Sequence, residues 1–313
     1  MMYKNIKTIE TKINKINTKK RSISLSTLIF NIVGYSLVSL AVVLCLIPFI
    51  MLISGSITSE QAIANYGYNI FPKEISFDAY SLLFKYPKDI FRAYGVSIFI
   101  TLVGTMSGLF IITMTAYVIS RRDFKYRNKL TFFFYFTTLF NGGILSVYIF
   151  LVRYLHLKDS YLALILPLII NIFYLLIMRS FMNSIPDSIS ESAKIDGASD
   201  FTIFIRLILP LSKAGLATIG LFYALDYWND WYNAMLYISD YKKFPLQYML
   251  YTMLSAGEAM SRISSMSSVS MAEMPSRSIK LAMAVVATGP IILVYPFIQK
   301  YFVKGITVGA VKG

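Results

Sequence analysis

From Leu25 to Ile53 the chain carries no charged residue. About 20 apolar residues suffice for a helix to cross the hydrocarbon core of a bilayer. The basic residues before this run imitate the start of a signal peptide. Yet the apolar part of a signal peptide is only about 7–15 residues, and this uncharged run is longer. The run therefore reads as an uncleaved first transmembrane helix. Five further stretches follow the same rule, the first except for Arg92 at its edge: 91–120, 130–152, 161–178, 214–225 and 281–299. The fifth is short, and it reaches spanning length by extending back through Leu207 if Lys213 snorkels to the interface. These stretches predict an all-α membrane protein with six transmembrane helices.

Composition agrees: 56% of the 313 residues are hydrophobic and 15% charged, yet the formal net charge is +14. Soluble domains hold about 25% charged residues. A basic chain suggests either nucleic acid or a membrane surface, and the placement of charge separates the two. With six spans, residues 1–24, 120–129, 179–213 and 300–313 share one side and hold nineteen of the 30 basic residues against six acids. The rest of the chain holds eleven basic residues and ten acids. The positive-inside rule then places both termini in the cytoplasm, with the short loop Arg121–Lys129 carrying most of the weight. Nucleic-acid binding would need the cations on one water-exposed face rather than in alternate loops. One Cys (Cys45) and one His (His156) leave no intrachain disulfide and no zinc site.

Residues 1–24 form a basic segment with Ile6, Ile9, Ile13 and Ile16 at helical spacing. Either an amphipathic helix on anionic lipid or a polybasic tail that only sets topology fits this pattern. Two outer segments, 54–90 and 230–279, are long. The first is too aromatic for a disordered linker, and Ser261–Met271 should be the most flexible part of the second. No GxxxxGK[ST] phosphate loop occurs, so the chain has no recognisable ATPase site and is not expected to be an enzyme.

The inner segment 185–210 is the most patterned. Pro186 and Asp187 suit a helix start, Gly197 permits a tight turn, and a second short helix should run on towards Pro210. Such a helix–turn–helix is too polar for lipid and could dock in a groove of a soluble partner.

Glu191-x-Ala193-x-x-x-Gly197-Ala198 followed by Ile208-x-Pro210 resembles the EAA loop of binding-protein-dependent ABC importers, the coupling helix by which a permease docks on its ATPase. The resemblance implies a type I importer permease fold over residues 25–313. It assigns partner contact to Glu191 and the turn to Gly197, with Ala193, Asp196, Ala198 and Pro210 completing the coupling element. Ser192 stands where Ala is usual. Phe140-Asn141-Gly142-Gly143, Met178-Arg179-Ser180-Phe181, Trp228-Asn229-Asp230-Trp231 and the tail Gln299–Gly305 with Gly309–Gly313 resemble the carbohydrate branch, in particular the maltose-type second permease subunit and permeases of Gram-positive complex-sugar importers. The implied partners are a second, different permease, two ATP-binding cassette subunits, an extracytoplasmic sugar-binding protein, an oligosaccharide and the lipid bilayer of a bacterial cell. ATP and Mg²⁺ would be bound by the ATPase subunits, with no cofactor in this chain. An importer permease for a non-sugar solute, or a membrane scaffold or enzyme subunit, is the alternative.

Substrate-pathway candidates are Tyr223, Asp226, Trp228, Asn229 and Trp231, because sugars take aromatic faces together with carboxylates and amides. An interfacial aromatic belt explains the rings equally, whereas an acid within a span usually marks a polar path. Asn141 and Asn171 lie within spans and suit either substrate contact or interhelical hydrogen bonding. Arg179 reads as an anchor at the inner end of the fourth span, and His156 as a surface residue.

Overall fold

The computed structural model describes residues 25–85, 87–140, 142–266, 277–290 and 292, and the residues described are mainly helical. The N-terminal segment 1–24 and the C-terminal tail lie outside the described residues. In chain order the helices are α1 (Leu25–Ser56), α2 (Glu60–Tyr66), α3 (Asp78–Leu83), α4 (Pro87–Ser120), α5 (Arg127–Leu139) and α6 (Gly143–Ile149). They continue with α7 (Leu162–Leu168), α8 (Ile172–Met182), α9 (Asp187–Ile195), α10 (Asp200–Leu211), α11 (Lys213–Asn229), α12 (Tyr232–Tyr237), α13 (Leu246–Met266) and α14 (277–290).

Two of these, α1 and α4, are single helices long and apolar enough to cross a membrane. Apolar and uncharged on every side, α1 is buried only at its last turn, Ser54–Ser56, and Phe30 is 77% exposed. A helix apolar all round is stable only in a buried or lipid setting. By contrast α4 buries one stripe, including Ile100, Gly104, Gly108, Ile112 and Ala116, at helical spacing.

Three of the other four expected spans are broken. The fourth divides into α7 and α8 with a 54° bend, and α10 meets α11 at 82°. The expected extension of the fifth span back through Leu207 is not a straight helix: after Pro210 the chain turns at Ser212, whose N–H bonds the carbonyls of Ile208 and Leu209, and a new helix starts at Lys213. The third expected span comprises α5 and α6 on either side of residue 141. The sixth appears as α14, and its remaining residues are not among those described apart from Ile292.

Breaking a helix in an apolar setting frees backbone groups that must find partners. At the α7–α8 break the Ile169 N–H turns to the Leu166 carbonyl, and the Phe173 N–H is taken by Asn171 Oδ1 (3.0 Å). The carbonyls of Ile165 and Ile169 are thereby released. Tyr227 Oη donates to the first and Tyr223 Oη to the second, each at 2.9 Å, from successive turns of α11. Both rings reach the break because α4 has glycines at their height. A Cβ on Gly104 would lie 2.5 Å from the Tyr227 ring, and one on Gly108 3.0 Å from Tyr223. A similar exchange occurs at α14. Pro290 has no N–H for the Val286 carbonyl, which instead accepts from Tyr94 Oη at 2.6 Å, while Trp228 Nε1 donates to Ala287 O at 3.0 Å.

The two long segments expected on the outer side are built rather than loose. Residues 54–90 hold α2, α3 and an antiparallel bridge between Thr58 and Ile75. Glu60 on α2 accepts from the backbone N–H groups of Arg277 and Ser278, capping α14 from a distance. Within 230–279 the chain forms α12 and α13, and the Leu246 N–H at the start of α13 bonds to the buried Ser97 Oγ of α4 at 2.8 Å. Part of the segment expected to be most flexible, up to Met266, extends α13, and the remainder lies outside the described residues.

This seam predicts the effect of two substitutions. Tyr227→Phe strands the Ile165 carbonyl and should cost about 1 kcal/mol. Gly104→Leu, which drives a side chain into the Tyr227 ring, should cost more. Thermal unfolding of the detergent-purified protein measures both, and a wild-type midpoint for Gly104→Leu would refute the notch.

Candidate functional site

Two places in the fold carry the residues singled out by sequence. The first is the turn between α9 and α10. Asp187 opens α9 directly after Pro186, and the helix caps at Asp196. Gly197 follows with φ of +80°, a conformation that costs an L side chain about 1–2 kcal/mol. No atom lies within 4 Å of the position a Cβ would take there, so backbone conformation rather than space requires the glycine. The Gly197 N–H then bonds to Lys194 O (3.0 Å) and the Ala198 N–H to Ala193 O (2.9 Å). This is the Schellman pairing, in which the residue after the glycine contacts the residue whose carbonyl it holds. Ala193 and Ala198 are the half-buried members and pack on the main core, which explains their small size. Ser199 Oγ accepts from the Thr202 N–H and starts α10.

The outward side of this element is exposed. Glu191 and Asp196 face solvent, and among the described residues Glu191 has no ion-pair partner. Ile195 is 87% and Phe201 60% exposed, although both are large apolar residues. Pro210 lies exposed near the end of α10, a dozen residues from the turn, where it belongs to the bend into α11. Sequence reasoning therefore grouped with the Gly197 turn a proline that lies next to the bend into α11.

Charges behind the turn were missed as a site and counted only for topology. Arg121, directly after α4, holds Asp123 in a two-pronged contact (Nε to Oδ1, 2.9 Å) and Asp200 through Nη1 at 2.7 Å. Lys194 Nζ lies 2.7 Å from Asp123 and 3.8 Å from Asp200. Arg122 Nε pairs with Asp187 at 2.9 Å. Arg121 first, then Lys194, hold the Asp123 carboxyl well below the usual carboxylate range. No sequence signal marks these pairs, because Asp123 and Lys194 are 71 residues apart.

The second place is the C-terminal half of α11 with its neighbours. Asp226 Oδ2 accepts from Tyr174 Oη of α8 at 2.6 Å, joining the two helices beside the break. Tyr223 is fully buried, and its ring stands edge-on to Tyr174 with centroids 5.0 Å apart. Its hydroxyl is committed to Ile169 O and the Asn171 N–H, while Trp228 is 6% exposed and bonded to Ala287 O. In this structure both are framework residues rather than open aromatic faces. Asn171 caps α8, its side-chain oxygen accepting from Phe173 and Tyr174 N–H groups. Asn229 is exposed and donates to Leu225 O, and Trp231, also exposed, stacks on Tyr251 with centroids 4.3 Å apart. Asn141 lies outside the described residues. Among the described residues no group of acids, His and Cys could hold a metal ion.

The charge contacts imply a pH profile. Because the folded Asp123 carboxyl titrates below its free value, the tether is complete above about pH 4 and is lost as pH falls through the depressed value. A spin label at Ser188→Cys, in a Cys45→Ser background, should show constant mobility from neutral pH down to that point and rising mobility below it. Gly197→Ala should loosen the same label at neutral pH through the strained backbone alone.

Comparison with known proteins shows the family. Residues 122–308 match the family model described as "Binding-protein-dependent transport system inner membrane component". The chain is 41% identical over 286 residues to the polygalacturonan/rhamnogalacturonan transport system permease protein YtcP of Bacillus subtilis, spanning 91% of this chain and 99% of that one. It is 45% identical over 270 residues to Protein LplC of the same organism, covering 86% of this chain and 90% of that one. Among solved structures it is similar to a chain of a bacterial ABC transporter involved in the import of the acidic polysaccharide alginate, with 31% identity and a TM-score of 0.74 over 89% of this chain and 98% of that chain. The chain belongs to the inner-membrane permease family of binding-protein-dependent transport systems.

Proposed function

We propose that this chain is one half of the translocation path of an ATP-driven oligosaccharide importer, and that α9, Gly197 and α10 form the element that docks on a cytoplasmic ATPase. The observation that carries the reading is the exposed Glu191, Ile195 and Phe201 around a turn held by Gly197. Charged and large apolar residues exposed together on a small rigid element suit a groove on a soluble protein. The excess of cations on the segments that share this side supports a cytoplasmic position for it and for both termini.

In this reading the chain pairs with a second, different permease and two ATP-binding cassette subunits, which bind ATP and Mg²⁺. An extracytoplasmic binding protein delivers the sugar against α2, α3, α12 and α13. ATP-driven closure of the ATPases moves the docking elements and rocks the two permeases about the bound solute, so that the site opens to one side at a time. The chain performs no covalent chemistry.

For the path itself, Asp226 is the residue of interest. A carboxylate on a spanning helix usually faces a polar cavity, and Tyr174 gives it a fixed orientation. Asn229 and Trp231 lie beyond it at the outer end of α11, and they offer an amide and an indole face to a saccharide. The named substrates of YtcP and of the alginate importer support a carbohydrate rather than another solute.

Two measurements test the reading. Glu191→Arg and Gly197→Trp should each abolish co-purification of the ATPases with the permeases; retained assembly and transport in both would refute the docking role. In the reconstituted complex with its binding protein, an oligosaccharide should stimulate ATP hydrolysis and Asp226→Ala should reduce its transport at least about tenfold, a loss of about 1.4 kcal/mol. Stimulation by a peptide or polyol alone would overturn the sugar assignment.

A further inference from the structure

The flanking helices α8 and α11 connect the docking element to the membrane by chain continuity. The charge contacts connect it to a third helix, α4, which is remote in sequence. Arg121, Asp123, Lys194 and Asp200 alternate in sign around a closed ring, with each carboxylate facing both cations. The Arg122–Asp187 pair makes a second tie at the opposite end of α9. Single exposed ion pairs add little stability. Two ties at the two ends of one short helix, however, restrain its rotation and its translation together. Beneath the ring the guanidinium of Arg121 lies 5.7 Å from the Tyr117 ring of α4, and Tyr117 packs on Phe204 of α10 with centroids 5.3 Å apart. The same junction is thus held by charge on its outer side and by aromatic contact on its inner side.

From this junction α4 leads back to the glycine notch at Gly104 and Gly108, near its middle, which seats Tyr223 and Tyr227 on either side of Asp226. We infer that the docking element and α4 move as one rigid body, so that α4 carries the displacement of the ATPases to the Tyr223–Tyr227 seam, and that Arg121 is the positioning residue of this transmission. Arg121 touches neither solute nor nucleotide; it acts by holding Asp123 and Asp200 in register. The inference rests on the docking role proposed above and adds the route by which docking reaches the membrane.

The test uses the complete complex in proteoliposomes, read as solute transported per ATP hydrolysed. Arg121→Glu should leave the ATPases bound and lower that ratio about fivefold or more, the scale of a typical coupling free energy. Inverting the whole ring with Arg121→Glu, Asp123→Lys, Lys194→Glu and Asp200→Arg should restore it, which loss of general stability would not allow. An unchanged ratio in Arg121→Glu overturns the inference, as does a lowered ratio that the inverted ring leaves lowered. A second measurement does not depend on tolerance of four substitutions. In a Cys45→Ser background, Arg122→Cys and Asp187→Cys are joined by a short bifunctional thiol reagent. Full transport by the joined protein supports a rigid body, and abolished transport shows that the parts must separate during the cycle and overturns it. Failure of the docking role would look different, since Glu191→Arg and Gly197→Trp would then keep the ATPases bound.

Discussion

The structure depends on the tyrosine hydroxyls that take up backbone carbonyls where a helix in an apolar setting is broken. An unpaired carbonyl away from water is costly. The α7–α8 break is therefore possible only because Tyr223 and Tyr227 stand opposite it. They stand there only because α4 offers glycines at matching heights. Three helices are consequently fixed against one another by one contact set, and Asp226 and Tyr174 meet at its edge. A bend that would be a weakness in an isolated helix becomes the place where polar side chains approach the middle of the fold.

The exposed turn at Gly197 follows a related economy. Its shape is local: Gly197 takes the left-handed conformation, and Ala193 and Ala198 close the Schellman pairing. Its orientation is not local, since it comes from cations at the end of α4 and from Tyr117 against Phe204. Salt weakens exposed charge contacts far more than apolar ones, so the two parts of the junction respond differently to solution conditions.

Much of this was legible in the sequence. The uncharged stretches at α1 and α4 stand out because burial in lipid demands them, and both helices appear with nearly the expected bounds. The helix–turn–helix at 187–203 was readable because caps and left-handed glycines act within a few residues. The candidate site was less so. Tyr223 and Trp228 were selected as residue types that suit sugars, and Asn171 for either substrate contact or interhelical hydrogen bonding, but their polar atoms serve carbonyls and N–H groups of other helices or of the next turn. The bend at Ser212 also escaped, because an apolar run reads the same whether straight or folded back.

The sequence by itself determined which segments are apolar, which loops are basic and where the Gly197 turn forms, because hydropathy, charge and capping depend on neighbours along the chain. Only the tertiary structure decided which tyrosine fills which broken turn, that Arg121 reaches Asp200, and that Asp226 faces Tyr174. Those pairings join residues far apart in the chain. They are set by where helices cross, and a crossing is determined by side-chain shape on two surfaces at once rather than by any one stretch of sequence.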